Sequence, residues 1–271
     1  MNKHRALLTL SLLVMTPVIT HADTLEDIKS RGVLTVGIKN DYPPYGFMNA
    51  EGKTVGFEVD LARAIAADLL GSPDKIKLVP VNASNRIQFL QSGQIDLIMA
   101  TLGITPEREK EIDFTDQYVL AAGPSVLARK EAKFNQWEQL KNQKVCGIQG
   151  SYYNKTLTQK YSIQLVNFTA LPEAYRALQD NRCVAMVFDD ITLQNKLGEP
   201  GWSGYKIAIT PYEYQPMAGG LRKGDDAFKK AVNAAIVKTE GENKLVEWQT
   251  TYHMPPSDYI AKRAEAARAA K

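Results

Sequence analysis

Short apolar runs alternate with amphipathic stretches along this chain, and the alternation occurs twice. Residues 33–38 carry Val33, Leu34, Val36 and Ile38 and read as a buried strand. Over 57–70, Leu61, Ala62, Ile65, Ala66 and Leu69 fall on one helical face, and Gly71 ends the helix. Strands follow at 76–81 and 95–100, separated by a short helix that Ser84 caps and that runs through Leu90. Thr105, Pro106 and Glu107 then give a cap, a proline at the first helical position and an acid in the first turn. The rhythm restarts with a strand at 144–148 and a helix from a Ser151 cap toward Lys160. A strand at 163–168, a helix from Pro172 to Asp180 and a strand at 183–188 complete it, with Asp189 directly after.

Two such sets predict an α/β protein of two lobes, each a mostly parallel sheet flanked by helices. The joins between them read as extended segments at 119–129, with Gly123 and Pro124, and 208–221, with Pro211, Pro216, Gly219 and Gly220. The first lobe is then discontinuous, 23–123 with 215–271, and the second spans 124–214. Two crossings of this kind make a hinge that closes on a ligand. Asp225 caps a helix to about Thr239, and another ends near Pro255 and Pro256. The Ala- and charge-rich stretch 258–271 reads equally as a surface helix or as a frayed tail.

Residues 1–22 stand apart. Lys3 and Arg5 precede an apolar stretch over 6–19, and Thr20, His21 and Ala22 form a small-x-small cleavage site. The stretch is short for a spanning helix, and no Cys lies near the cleavage site to take a lipid. The expectation is a cleaved signal peptide and an exported chain, with an uncleaved anchor as the competing reading. Over the whole chain 33 basic residues balance 30 acidic ones without clustering, so no nucleic-acid partner is expected. Two Cys and three scattered His are poor material for a metal site, and no Gly-rich phosphate loop is present, so no cofactor or metal is expected.

In open α/β sheets the ligand lies beyond the carboxyl ends of the strands. Those ends carry one acid, Asp189, and three bases, Lys39, Arg86 and Arg108, with the aromatic Tyr42 and Tyr45 and the hydroxyls of Thr101 and Ser151. An arginine fork suits a carboxylate and an aspartate suits an ammonium, so the set fits a zwitterionic amino acid. Singly, Arg108 reads as a solvated helix arginine and Asp189 as a helix cap; their shared placement carries the argument. Cys146 lies five residues before Ser151 and Cys183 six before Asp189, at similar depths if their strands are neighbours. Export allows a disulfide. Two buried free thiols are the alternative, because adjacent parallel strands place Cα atoms awkwardly for a bridge.

The sequence also resembles a family. Asn40, Asp41, Tyr42, Pro43, Pro44 and Tyr45, the run Val55 to Leu61, and Ile104, Thr105, Pro106, Glu107 and Arg108 with Asp113, Phe114 and Thr115 are similar to segments of the polar amino-acid binding proteins of ABC importers (solute-binding protein family 3). Gln149, Gly150 and Ser151, then Val187 to Asp190 and Gly220 to Lys223, match its later segments. The resemblance runs from about Leu25 to Tyr252. It implies a type II periplasmic binding protein fold, a periplasmic location, a monomer and a membrane permease as partner. It also implies that Arg108 grips the ligand α-carboxylate, helped by Thr101 and the main chain at Gly103. The carbonyl of Ala100 or Thr101 and the carboxylate of Asp189 hold the α-ammonium. Ser151 donates from the second lobe, Tyr42 covers the ligand, and Lys39 and Arg86 read its side chain. Position 103 commonly carries Ser or Thr in the family, so one side-chain hydrogen bond is missing here. Two basic reading positions favour an acidic ligand, aspartate or glutamate. A neutral polar amino acid is the alternative. A secreted enzyme on the same scaffold, of the dehydratase kind, is the rival from another class.

Overall fold

A computed structural model describes residues 24–270, so the signal peptide read over 1–22 lies outside it. The chain runs α1 (Thr24–Arg31), β1 (Leu34–Ile38), β2 (Asp41–Tyr42), β3 (Gly46–Met48), β4 (Thr54–Val55), α2 (Phe57–Leu70) and β5 (Ile76–Pro80). It continues through α3 (Arg86–Gln91), β6 (Leu97–Met99), α4 (Pro106–Glu109) and β7 (Asp113–Ala122). Beyond the first crossing come β8 (Pro124–Arg129), a 3₁₀ turn (Trp137–Leu140), β9 (Lys144–Ile148), α5 (Asn154–Gln159), β10 (Gln164–Phe168) and α6 (Leu171–Gln179). Then follow β11 (Ala185–Asp189), α7 (Asp190–Leu197) and β12 (Tyr205–Ile209), and after the return crossing β13 (Gln215–Leu221), α8 (Asp226–Gly241), α9 (Lys244–Thr251) and α10 (Asp258–Ala269).

Two five-stranded sheets result, ordered β5-β1-β6-β13-β7 and β10-β9-β11-β8-β12, with a small β2-β3-β4 meander beside the first. The fold is the expected two-lobed one. In each sheet one strand opposes the others: β13 is antiparallel to β6 and β7, and β8 to β11 and β12. The reason is geometric. A strand arriving from the other lobe enters at the cleft edge, so it must run away from the cleft while its neighbours run toward it. The crossings touch each other. A Cβ placed on Gly123 would stand 2.5 Å from both the Glu213 carbonyl oxygen and the Pro211 Cβ, so only glycine lets the two connections pass.

Period-two alternation packs both faces of each sheet. In β11, Met186 and Phe188 join one apolar cluster with Leu171 and Leu178 of α6, while Ala185 and Val187 join another with Tyr153 and Leu157. In the first lobe Leu34, Val36 and Ile38 pack with Leu61 and Ile65 of α2 and Val232 and Ile236 of α8.

The structure corrects local expectations. Ser151 does not cap a helix: α5 starts at Asn154, and its cap residue is Tyr153. Ser84 likewise leaves α3 to an Asn85 cap position; Asn82 Oδ1 collects the Ser84 hydroxyl and the N–H groups of Ser84 and Asn85. The stretch after Pro256 is a helix and not a frayed tail. Ser257 accepts the Ile260 N–H, Ile260 and Ala264 are buried, and Tyr259 donates to the Gln117 carbonyl at 2.9 Å. Cys146 and Cys183 are bonded, with Cα atoms 5.5 Å apart. Cys183 lies in the bend before β11 and not in the strand, which frees it from the parallel register that makes such bridges awkward.

The bridge closes a loop of sequence separation 37. Replacing both cysteines by alanine should lower stability by about 3–4 kcal/mol through the freedom returned to the unfolded chain. Urea denaturation of the double variant checks this; an unchanged midpoint would show that the bridge contributes nothing.

Candidate functional site

Strand ends from both lobes meet across one cleft. Its cavity is lined by Tyr42, Ala83, Arg86, Thr101, Gly103, Arg108 and Met217 from the first lobe and by Ser151, Tyr152, Tyr153, Phe188 and Asp189 from the second. Seven of the nine residues read from the sequence as ligand contacts are therefore on its wall. Ala100 and Lys39 are not. Lys39 is buried behind Tyr42, with its Nζ 4.3 Å from the ring centre. Ala100 takes part through its carbonyl.

Local chemistry sets each group. Thr105 accepts the Arg108 N–H at 3.3 Å and so starts α4, which aims Arg108 back at the cleft. Arg108 Nη1 donates to the Gly103 carbonyl at 2.7 Å and Nη2 to the Gly150 carbonyl at 3.0 Å. One guanidinium thus spans the lobes. Gly150 has φ +82°, and a Cβ there would come within 2.6 Å of the Ala83 carbonyl oxygen, so the lobes meet backbone against backbone. A third bridge runs from the Leu171 N–H to Asp41 Oδ2 at 3.0 Å. The cleft is closed.

Thr101 adopts φ +48°, unusual for a β-branched residue. Glu58 holds it there: Oε1 accepts the Thr101 N–H at 2.7 Å and the Tyr118 hydroxyl at 2.5 Å, while Oε2 is buried without a partner. Glu58 was not among the residues expected at the site. Its signal was an acid on the apolar face of α2, three and four residues before Leu61 and Ala62. Tyr152 and Tyr153 were missed although they follow Ser151 directly. Met217 sits on the reversed strand β13, whose placement no strand-end rule supplies.

Arg86, 3% exposed, donates through Nη1 to the Ala100 carbonyl, and to that of Thr101 at 3.2 Å. These are the two oxygens expected to receive an ammonium, and here the guanidinium occupies them. Tyr42 meets Phe188 edge-on at 4.7 Å between centroids and belongs to the second lobe's apolar cluster although the first lobe carries it.

The charges are costly. Burial pushes Lys39 down to about 7, and Arg86 adds to the shift. Burial pushes Asp189 up to about 7, reinforced by Asp190 and opposed by Arg86 and Lys39. Burial also lowers Arg108 to about 9, again with Arg86, and raises Glu58 against its two hydrogen bonds. Among the described residues none of these five groups closes an ion pair; the guanidinium donors go to carbonyls. The arrangement can receive a ligand that carries both an ammonium and carboxylate charge. It offers no nucleophile paired with a base.

Comparison with known proteins agrees with this geometry. The family model described as bacterial extracellular solute-binding proteins, family 3, matches residues 34–255. A glutamine-binding protein of a Bacillus subtilis ABC transporter is 33% identical over 83% of this chain and 82% of its own length. The glutamate/aspartate import solute-binding protein of Escherichia coli is 27% identical over 83% of this chain and 78% of its own. The crystal structure of a solute receptor for L-cysteine from Neisseria gonorrhoeae superposes with a TM-score of 0.80 at 31% identity, covering 84% of this chain and 92% of that one.

Lys39 gives the site a measurable pH signature. Its folded pKa is about 7 against an ordinary 10.5, so between these values the unfolded chain binds more protons and stability rises with pH. Lys39→Met should flatten that rise. At neutral pH the variant should be more stable than the parent by about 1–4 kcal/mol. Urea titrations near pH 7 and near pH 10 check both statements; equal slopes for the two proteins would place the Lys39 ammonium in water.

Proposed function

The chain belongs to the bacterial extracellular solute-binding proteins of family 3, and we propose that it captures aspartate or glutamate in the periplasm and delivers it, as a monomer, to the permease of an ABC importer. The observation that carries this reading is the set of bases at the closed cleft: Lys39 and Arg86 are buried and Arg108 is half-buried, beside the buried acids Glu58 and Asp189, with Asp41 acting on Lys39 and Glu107 on Arg108. The α-carboxylate goes to Arg108, assisted by Thr101, the Gly103 main chain and Ser151. The α-ammonium goes to Asp189. A side-chain carboxylate then draws Arg86 off the Ala100 and Thr101 carbonyls, and those two oxygens become free to share the ammonium. Tyr42 covers the bound amino acid, and Lys39 behind it completes the neutralisation. The lobes, assigned as 23–123 with 215–271 and 124–214, swing about Gly123 and the 211–219 return. The relatives named above are binders and not enzymes, which supports capture over turnover.

One observation favours a second reading. Lys39 near pKa 7 is half neutral at physiological pH, and a neutral amine accepts as well as donates. That suits an amide side chain, and the Bacillus subtilis relative is named for glutamine.

A thermal-shift panel of the twenty amino acids separates the two. Ligand at a thousand times its Kd stabilises by about 4 kcal/mol, or roughly 8–16 °C for a chain this size when scaled per residue. Aspartate or glutamate should give the largest shift, reduced in Lys39→Met; a larger shift with glutamine would establish the second reading instead.

Arg108→Ala should weaken binding of the best ligand at least about a hundredfold, since a buried carboxylate left without its partner costs roughly 3–5 kcal/mol. Titration calorimetry reads this directly. Less than a tenfold loss would remove Arg108 from the carboxylate site.

A further inference from the structure

Successive carbonyls of an extended chain point to opposite sides. Those of Ala100 and Thr101 converge instead, since one Arg86 nitrogen, Nη1, reaches both. The left-handed turn at Thr101, φ +48°, brings them together. Threonine is β-branched and rarely rests in that conformation. Glu58 supplies the hold. Its Oε1 accepts the Thr101 N–H at 2.7 Å and the hydroxyl of Tyr118 on β7 at 2.5 Å. Its own backbone N–H donates to the Tyr45 carbonyl at 2.9 Å, and the Phe57 N–H donates to that of Pro44 at 3.0 Å. One wholly buried residue in the first turn of α2 therefore ties together the loop after β6, the strand β7 and the segment that carries Tyr42.

We propose that Glu58 is the positioning residue for the ammonium of the bound amino acid. By holding Thr101 it aims two main-chain carbonyls at one point, and that pair lets the cleft tell an amino acid from a plain dicarboxylate of the same length. The proposal rests on the reading above that seats the ammonium on those carbonyls beside Asp189. Ala100 has no polar side chain, so what it offers a cation is the direction of its carbonyl, and that direction is set from outside the loop. The role needs an acceptor at Oε1. The other carboxylate oxygen is buried without a partner and takes no part in the hold. Position and charge are therefore separable: a carbonyl oxygen in the same place keeps the hold, and a side chain of similar volume without an acceptor releases it.

The test compares L-glutamate with glutarate, which lacks only the ammonium, by competition calorimetry on the full mature chain. Glu58→Met should lower the preference for L-glutamate at least about tenfold, the worth of a charge-assisted hydrogen bond. Glu58→Gln keeps a carbonyl oxygen for both donors and should restore the preference to within about threefold of the parent. Tyr118→Phe leaves the buried ring in place, removes one anchor of Glu58 and should lower the preference about threefold. A merely structural role weakens both ligands alike and leaves their ratio where it was. An unchanged preference in Glu58→Met, or in Tyr118→Phe where Glu58→Met does not fold, would overturn the proposal. An equal fall in Glu58→Gln would overturn it too, by making the charge the cause. If L-glutamate does not bind the parent, the acidic reading of the cleft falls instead, and L-glutamine against glutaramate carries the same comparison.

Discussion

Four ionisable groups, Lys39, Glu58, Arg86 and Asp189, lie out of water where two sheets point their strand ends at each other, with Arg108 half-buried beside them, and among the described residues none of the five closes an ion pair with another. Buried charges of this kind are tolerated only when hydrogen bonds and a rigid frame hold them. The frame here is backbone. Carbonyls of Ala100, Thr101, Gly103 and Gly150 absorb the arginine donors, and Glu58 fixes Thr101 in a conformation that places its carbonyl toward Arg86. The four core clusters matter to function because they keep those carbonyls from relaxing toward water.

A consequence is that recognition divides between chain-wide and local determinants. Strand order and the crossings decide where the carboxyl ends meet, and relatives that are named for glutamine, for glutamate and aspartate, and for cysteine share that arrangement. Laid on that arrangement here is a local side-chain set in which two bases, Lys39 and Arg86, sit where each feels the other. A glycine at position 103 fits the same logic. With no side chain there, Tyr152 and Gln215 approach the backbone, and a Cβ would stand 3.1 Å from the Gln215 side chain.

Much of this was readable from local pattern. Strand and helix periods located the strand ends, and the caps of α4 and α8 followed from Thr105 and Asp225. Pattern failed where a distant contact decided the outcome. Ser151 has the right chemistry for a cap, but Gly150 at positive φ turns the chain across the cleft first, and the helix starts later. Direction within a sheet is equally hidden: nothing in the composition of β8 or β13 says that they oppose their neighbours, because only the crossings impose it. Glu58 was hidden by the same dependence on distant contacts. An acid on an apolar helix face looks like an error until its partners, Thr101 and Tyr118, come from 43 and 60 residues away.

Tyr42 belongs by sequence to the first lobe and by packing to the second. Separating the lobes withdraws that ring from Phe188 and the surrounding cluster and puts an aromatic face into water. An aromatic side chain buries about 150–250 Å², worth roughly 4–6 kcal/mol at about 25 cal/mol per Å² if all of it were exposed. Closure therefore carries its own apolar driving force, independent of any salt link to a ligand. Its thermodynamic trace is a heat capacity: the fall on ligand binding should exceed what the small polar ligand itself accounts for, because the protein buries part of its own surface in the same step.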